Sequence, residues 1–103
     1  MSLKKKNLYE FGDFVLDTSE RQLWRGDDTI QIPPKAVETL CFLVENHGKL
    51  MSKDVLMNEL WADTFVEDRN LSQNIFILRK KLGEDKNKNT FIETVPKRGY
   101  RFV

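Results

Sequence analysis

The feature that most constrains the fold of this chain is a helical pattern that ends at a glycine and is followed by a hairpin pattern. Leu71, Ile75, Leu78 and Leu82 recur every three or four positions, so residues 67–82 are predicted to form a helix with one buried stripe. Gly83 ends that pattern. Two short β-type runs, 91–95 and 100–103, flank the turn sequence Pro-Lys-Arg-Gly. The last third of the chain therefore predicts a helix beside a two-stranded ribbon.

The basic residues are concentrated in these two elements. The net charge is only +1, yet four basic residues and no acidic one lie between Arg69 and Lys81, and three more lie between Lys97 and Arg101. A basic surface on a nearly neutral protein attracts a polyanion. A helix with such a face can enter the major groove of DNA while a hairpin tip reaches the backbone or the minor groove. The pattern therefore predicts DNA binding.

The remainder of the chain predicts an α+β fold with a definite order of elements. Runs at 9–11, 14–16, 22–25 and 29–32 predict a four-stranded antiparallel sheet. After Pro33-Pro34, apolar periodicity to His47 predicts a helix stopped by Gly48, and Ser52 is a good N-cap for the next one. The predicted architecture is a winged helix-turn-helix with an N-terminal four-stranded sheet, three helices and a C-terminal β-hairpin wing. Its expected buried residues are Leu40, Leu43, Leu60, Trp61, Leu71, Ile75 and Leu78.

Composition predicts one folded domain without a disulfide or a metal. A chain of 103 residues with 40% apolar content can form one folded domain, which we expect at 8–103. Residues 1–7 are expected to form a flexible basic tail. The single cysteine, Cys41, lies in an apolar run and is interpreted as a buried inert thiol, and His47 as a solvent-facing residue. No apolar run reaches the roughly 18 residues of a membrane span, and no signal peptide is visible, so we expect a cytoplasmic domain.

An enzyme is the first alternative, and the sequence offers little for one. A single His and a single Cys have no evident third partner, and neither a Gly-rich phosphate loop nor an acidic metal-ligand pattern occurs. We therefore expect no catalysis, no cofactor and no small-molecule substrate. The second alternative is a winged-helix module that binds protein or RNA. Strong salt-dependent binding to duplex DNA would separate the first interpretation from this one.

Two strings in the last third carry a family resemblance. Leu71-Ser72-Gln73-Asn74-Ile75 with Leu-Arg-Lys-Lys-Leu at 78–82, then Ile-Glu-Thr-Val-Pro-Lys-Arg-Gly-Tyr-Arg-Phe at 92–102, closely resemble the OmpR/PhoB-type winged-helix DNA-binding domain. The nearer match is to the CadC/ToxR-like branch, and it extends from residue 9 to residue 103. It implies a fragment of a longer bacterial transcriptional regulator, one that can be anchored in a membrane, without the upstream receiver domain of response regulators.

The resemblance implies a recognition helix at about 67–82 in the major groove and a wing at 95–101 on the backbone or minor groove. By their chemistry, Gln73 can pair with adenine, Ser72 with either base type and Phe76 with a thymine methyl, while Arg79 and Lys80 suit phosphates. A solvated helix face and favourable charges at a helix C-terminus are the structural alternatives. Gly99 fits a turn position with positive φ. The candidate DNA contacts are Arg69, Asn70, Ser72, Gln73, Asn74, Phe76, Ile77, Arg79, Lys80, Lys97 and Arg98.

Two expectations concern partners other than DNA. The loop at 62–67 resembles the family segment that touches RNA polymerase, with Thr64 and Phe65 as the contacts, and a purely structural loop is the alternative. Because the chain lacks a long heptad seam, it is expected to be a monomer in solution, and the resemblance implies that two copies meet on tandem DNA half-sites.

The sequence departs from the family at two positions of the recognition helix. Residues 76 and 77 are often polar or basic in the family, whereas here they are Phe76 and Ile77.

Overall fold

The computed structural model describes residues 7–83 and 91–103 of the chain. Residues 1–6 of the predicted tail and the polar loop expected after Gly83 lie outside the described residues. Asn7, which the prediction assigns to the tail, accepts a hydrogen bond at its carbonyl from the Thr18 N–H at 3.0 Å. Asn7 is therefore attached to the N-terminal sheet.

The chain begins with an antiparallel meander of four short strands: β1 (Leu8–Phe11), β2 (Phe14–Asp17), β3 (Gln22–Arg25) and β4 (Asp28–Ile30). Tight turns connect the strands, and Gly12 and Gly26 take φ values of +56° and +61° in them, a conformation that glycine adopts without steric cost. One face of this sheet, with Leu16 and Leu23 fully buried, packs into the core. The predicted four-stranded sheet is confirmed.

Three helices follow: α1 (Pro34–Glu45), α2 (Lys53–Leu60) and α3 (Arg69–Lys81). Pro34 occupies the first turn of α1, and the Ser52 hydroxyl accepts the N–H of Val55 at 3.1 Å to cap α2, as its sequence position predicts. The C-terminal helix α3 ends before Gly83, whose φ is +71°. The three predicted helices are confirmed, and α1 and α3 end one or two residues earlier than expected.

The wing supplies two strands of a three-stranded sheet, whose third strand the sequence does not predict. β6 (Ile92–Val95) and β7 (Gly99–Phe102) form the predicted hairpin, and β5 (Met51–Ser52) pairs with the other edge of β7. A strand of two residues is too short to give a periodic signal, so the sequence does not predict β5. This strand joins the start of α2 directly to the wing.

A single core is shared by the helices and both sheets, and it includes six of the seven residues expected there. The exception is Trp61, which is half-buried at the C-cap of α2 and has the Lys35 ammonium 5.9 Å from its ring centroid. The indole lies at the edge of the core because α2 ends there and the chain turns outward. The core consists of Phe14, Leu16, Leu23, Ala36, Val37, Leu40, Cys41, Leu43, Val44, Leu56, Leu60, Leu71, Ile75, Leu78, Leu82, Ile92, Tyr100 and Phe102.

Four phenylalanine rings join the N-terminal sheet to the wing. Phe11 lies 5.3 Å from Phe91 and 5.0 Å from Phe102 in edge-to-face contacts, and Phe14 lies 6.1 Å from Phe91. Such geometries contribute about 0.5–1.5 kcal/mol per pair beyond the area that they bury. The cluster therefore secures the base of the wing to the opposite end of the chain.

Candidate nucleic-acid interface

The helix α3 separates a buried stripe from an exposed face. Leu71, Ile75, Leu78 and the following Leu82 are at most 2% exposed, as their spacing predicts. On the opposite face all the predicted positions are exposed to solvent: Arg69, Ser72, Gln73, Phe76 and Lys80. This face carries amide, hydroxyl, aromatic and cationic groups over about three helical turns. It can offer hydrogen bonds, apolar contact and charge to one ligand surface.

Asn74 does not belong to this face. Its side chain is 8% exposed, and its amide donates a hydrogen bond to Thr39 Oγ1 of α1 at 3.3 Å. A buried, partnered amide cannot reach a DNA groove without breaking the packing between α1 and α3. The prediction of Asn74 as a DNA contact is therefore wrong. By contrast Asn70 is exposed at the first turn, where its amide donates to the Glu67 carbonyl at 3.1 Å.

The two apolar positions of the predicted face differ from each other. Phe76 is 59% exposed, and the Lys80 ammonium lies 5.5 Å from its ring centroid. A cation over an aromatic ring is attracted to its π face, so the two side chains form one amphipathic unit. Ile77 is half-buried and packs against the core. Of these two side chains, only Phe76 therefore presents most of its surface to solvent.

Arg79 is oriented toward the wing. Its Nη2 donates to the Ile92 carbonyl and to Thr94 Oγ1, each at 2.8 Å. We predicted a phosphate contact from the basic run 79–81, because the sequence does not show which strand lies beside α3. The structure shows that the guanidinium links α3 to β6. The sequence predicts neither a role for Thr94 nor this link between α3 and β6. The one relevant pattern is the alternation of the strand, which puts residues 92 and 94 on the same face.

The tip of the wing presents two exposed basic residues, Lys97 and Arg98. The Arg98 N–H closes the turn on the Val95 carbonyl at 2.9 Å, and Lys97 takes the left-handed conformation with φ +65°. Gly99 has a positive φ as well, as predicted, with a value of +158°, and it stands at the start of β7, directly after the turn. There it faces the backbone of β5, and a Cβ would overlap the Met51 carbonyl oxygen and lie 2.8 Å from Ser52 Cα.

The loop between α2 and α3 exposes an aromatic ring. Phe65 is 93% exposed and Thr64 is also exposed. They border an open cleft of about 330 Å³ together with Met57 and Trp61. Nearby, Glu67 pairs with Arg69 at 2.8 Å, at the entrance of α3. A ring so accessible contributes almost nothing to the core, which leaves it available to another molecule.

No group of three or more His, Cys, Asp and Glu side chains that could hold a metal occurs in 7–83 or 91–103. Burial, with the Glu45 carboxylate second, raises the pKa of the Cys41 thiol from 9.0 to about 11. A thiol with a raised pKa is protonated and a poor nucleophile near neutral pH. Within the same described ranges, no helix is both long enough and apolar enough to cross a membrane.

The elements together define a winged helix-turn-helix domain: α2 and α3 with their loop, followed by a two-stranded wing. A family model described as "Transcriptional regulatory protein, C terminal" matches residues 27–102. The chain belongs to this family, and the predicted OmpR/PhoB-type architecture is confirmed.

Comparison with individual proteins supports the same assignment. Transcriptional regulator HilA of Salmonella typhi is 38% identical over 94 residues, which are 91% of this chain but only 17% of HilA. Among solved structures, the DNA-binding domain of Escherichia coli CadC superposes with a TM-score of 0.79 at 29% identity, covering 91% of this chain and 89% of that domain. The Klebsiella pneumoniae RstA DNA-binding domain, solved in complex with the RstA box, gives a TM-score of 0.79 at 29% identity, with 93% and 96% covered.

Proposed function

We propose that this chain is the sequence-specific, double-stranded DNA-binding domain of a transcriptional regulator, with α3 in the major groove and the wing on the flanking backbone or minor groove. The observation that carries the proposal is the exposed face of α3, where Ser72, Gln73, Phe76 and Lys80 stand opposite the buried stripe. An α-helix fits the major groove of B-DNA and can bring such side chains to base edges. The RstA domain in complex with its DNA box has the same fold, which supports this docking.

The residues of the interface divide into base-reading and backbone-binding groups. Gln73 is the proposed adenine reader, Ser72 an adaptable hydrogen-bonding group and Phe76 a thymine-methyl contact. Lys80 and Lys97 contact phosphates, which contribute affinity without sequence information. Arg98 reaches the backbone or the adjacent minor groove. Arg69, Asn70 and Ile77 lie at the margins of the recognition face.

The proposal also covers the oligomeric state, the protein partner and the cellular location of the domain. The domain is a monomer before binding DNA, two copies occupy tandem half-sites, and Thr64 and Phe65 contact RNA polymerase from the α2–α3 loop. We propose that it acts in the cytoplasm, as part of a longer regulator, without catalysis, cofactor or metal. The family match and the exposure of Phe65 support these assignments.

The test is a salt titration on duplexes selected from a random pool and on scrambled versions of them. We expect the selected duplex to bind at least about 10³-fold more tightly than the scrambled one, with log affinity falling linearly as log salt rises. Sedimentation without DNA should show a monomer at micromolar concentration. Failure of any duplex to be enriched, combined with capture of a single-stranded RNA or a protein at the same face, would overturn the proposal.

A further inference from the structure

Within the described residues, 7–83 and 91–103, one edge of the first wing strand pairs with no other strand. The order of the sheet is β5-β7-β6, so β6 is an edge strand. The carbonyl of Phe91, next to β6, accepts the Val103 N–H at 2.9 Å on the β7 side. Successive carbonyls of an antiparallel strand point to alternate edges, and the Ile92 carbonyl therefore points away from β7. An edge carbonyl of this kind needs a donor from elsewhere.

The recognition helix supplies that donor. Arg79, in the last turn of α3, donates from Nη2 to the Ile92 carbonyl and to Thr94 Oγ1, both at 2.8 Å. Hydrogen bonds from a charged donor are shorter and stronger than neutral ones. On the other side of the wing, β5 pairs with β7 and the Lys53 N–H donates to the Arg98 carbonyl at 3.3 Å. Contacts from α3 and from the start of α2 therefore hold the two wing strands from opposite sides.

We propose that Arg79 is a positioning residue that fixes the wing relative to α3, so that base readout by the helix and the flanking contact by Arg98 occur in one register. This inference rests on the proposed DNA binding. It also changes the role expected for Arg79, because a guanidinium that holds the wing acts on DNA through Arg98 rather than by neutralising a phosphate. The DNA specificity of the domain then depends also on the spacing between the base pairs that α3 reads and the flanking groove that Arg98 contacts.

The experiment is a double-mutant cycle between Arg79→Gln and Arg98→Ala on the selected duplex with an A·T-rich flank. Alone, Arg98→Ala should weaken binding roughly 5- to 30-fold. In the Arg79→Gln background the same change should cost less than about twofold, because the wing no longer presents Arg98 at the groove. The salt slope of Arg79→Gln should fall by roughly one unit, because Arg98 leaves the DNA, and adding Arg98→Ala should lower it no further, whereas a direct phosphate contact of Arg79 would make the two reductions additive.

Two further variants serve as controls. Lys81→Gln removes one charge from an exposed residue in the same turn, and the cost of Arg98→Ala should remain unchanged in that background. Thr94→Val removes an acceptor of Arg79 while leaving every charge in place, and it should reduce the coupling to Arg98 partially. Full additivity of Arg79→Gln and Arg98→Ala, both in affinity and in salt slope, would overturn the inference and restore Arg79 as a phosphate contact.

A measurement on the unbound protein separates failure of this inference from failure of the proposed function. Backbone NMR order parameters of 92–98 should fall in Arg79→Gln and Thr94→Val but not in Lys81→Gln. If the wild-type protein bound no duplex while these order parameters still fell in the variants, the proposed DNA binding would be wrong. The role of Arg79 in fixing the wing to α3 would still be correct. If the order parameters did not change, the link itself would be refuted.

Discussion

The side-chain amide of Asn74 in α3 donates a hydrogen bond to the hydroxyl of Thr39 in α1, across 3.3 Å. The hydroxyl donates in turn to the Lys35 carbonyl at 2.8 Å, and both side chains are buried. The Asn74 amide nitrogen and the Thr39 hydroxyl are therefore both partnered, as burial requires. This contact sets the position of the recognition helix against the scaffold more specifically than its apolar stripe alone, because hydrogen bonds are directional.

Removing this contact should affect stability rather than DNA recognition directly. Asn74→Ala is expected to lower the free energy of unfolding by about 1–2 kcal/mol in urea denaturation, since it deletes a buried hydrogen bond. Asn58→Ala, at an exposed position of α2, is the matched control and should stay within about 0.5 kcal/mol. Unchanged stability with weaker binding to the selected duplex would mean that Asn74 reaches DNA after all.

Asn74 also shows where sequence patterns stop being sufficient. The spacing of Leu71, Ile75 and Leu78 predicts the buried side of α3, because helical geometry is local. Asn74 borders that stripe, and its polar side chain favours an exposed assignment until Thr39, 35 positions away, is known to face it. The same reason explains Arg79. A basic residue at a helix end suggests phosphate binding, and only the tertiary arrangement places the β6 edge beside it.

The long-range pairings of the wing were equally out of reach. The hairpin was predictable from two β-type runs around Pro96-Lys97-Arg98-Gly99, whereas β5 contains only two residues and forms because β7 lies next to it. The positive φ of Gly99 was predictable from its place beside the turn, whereas its close approach to the β5 backbone was not, because no local pattern specifies that neighbour.

A glycine comparison tests that explanation. Gly99→Ala should destabilise the domain by roughly 3 kcal/mol or more, because its Cβ overlaps the Met51 backbone and forces β5 away from β7. Gly26→Ala meets no atom within 4 Å and is strained only by its φ of +61°, so about 1–2 kcal/mol is expected. The midpoints of thermal unfolding of the two variants measure the difference. Equal destabilisation would show that backbone conformation, not the close approach, explains Gly99.

The buried thiol predicts a pH dependence at the alkaline end. The pKa of Cys41 is about 11 in the folded protein and 9.0 without burial. The unfolded chain therefore releases the proton first, so the stability from this group is fully present below about pH 9 and is lost as pH rises toward 11. Cys41→Ala removes this dependence while other groups keep titrating. The unfolding free energy of wild type, measured against that of Cys41→Ala, should fall between pH 9 and 11, and parallel curves would contradict the assignment.

The exposed ring of Phe65 predicts a variant defective in activation alone. Phe65→Ala should leave the free energy of unfolding within about 0.5 kcal/mol, because the side chain is 93% exposed. DNA affinity should not change either, since the ring lies in the α2–α3 loop. Transcription by bacterial RNA polymerase from a promoter carrying the selected site should fall severalfold. If the Phe65→Ala variant supported transcription at the wild-type level, this segment would be a purely structural loop.

The last prediction separates readout of bases from binding of phosphates on α3. Both Gln73 and Lys80 are exposed on the recognition face, but only Lys80 carries a charge. Gln73→Ala should weaken the selected duplex by about 1–3 kcal/mol and relax specificity at one base pair, because an amide can pair with both N6 and N7 of adenine. Its affinity for scrambled DNA and its salt slope should hardly change.

Lys80→Ala should instead weaken the selected and the scrambled duplex by similar factors and reduce the salt slope by roughly one unit. Its ammonium also lies over the Phe76 ring, so Lys80→Arg, which keeps both the charge and the cation–π contact, is the control and should retain the slope. A salt titration of each variant on both duplexes measures these effects. Equal losses on both duplexes for Gln73→Ala, with altered base preference for Lys80→Ala, would require α3 to enter the groove in a different rotation about its axis.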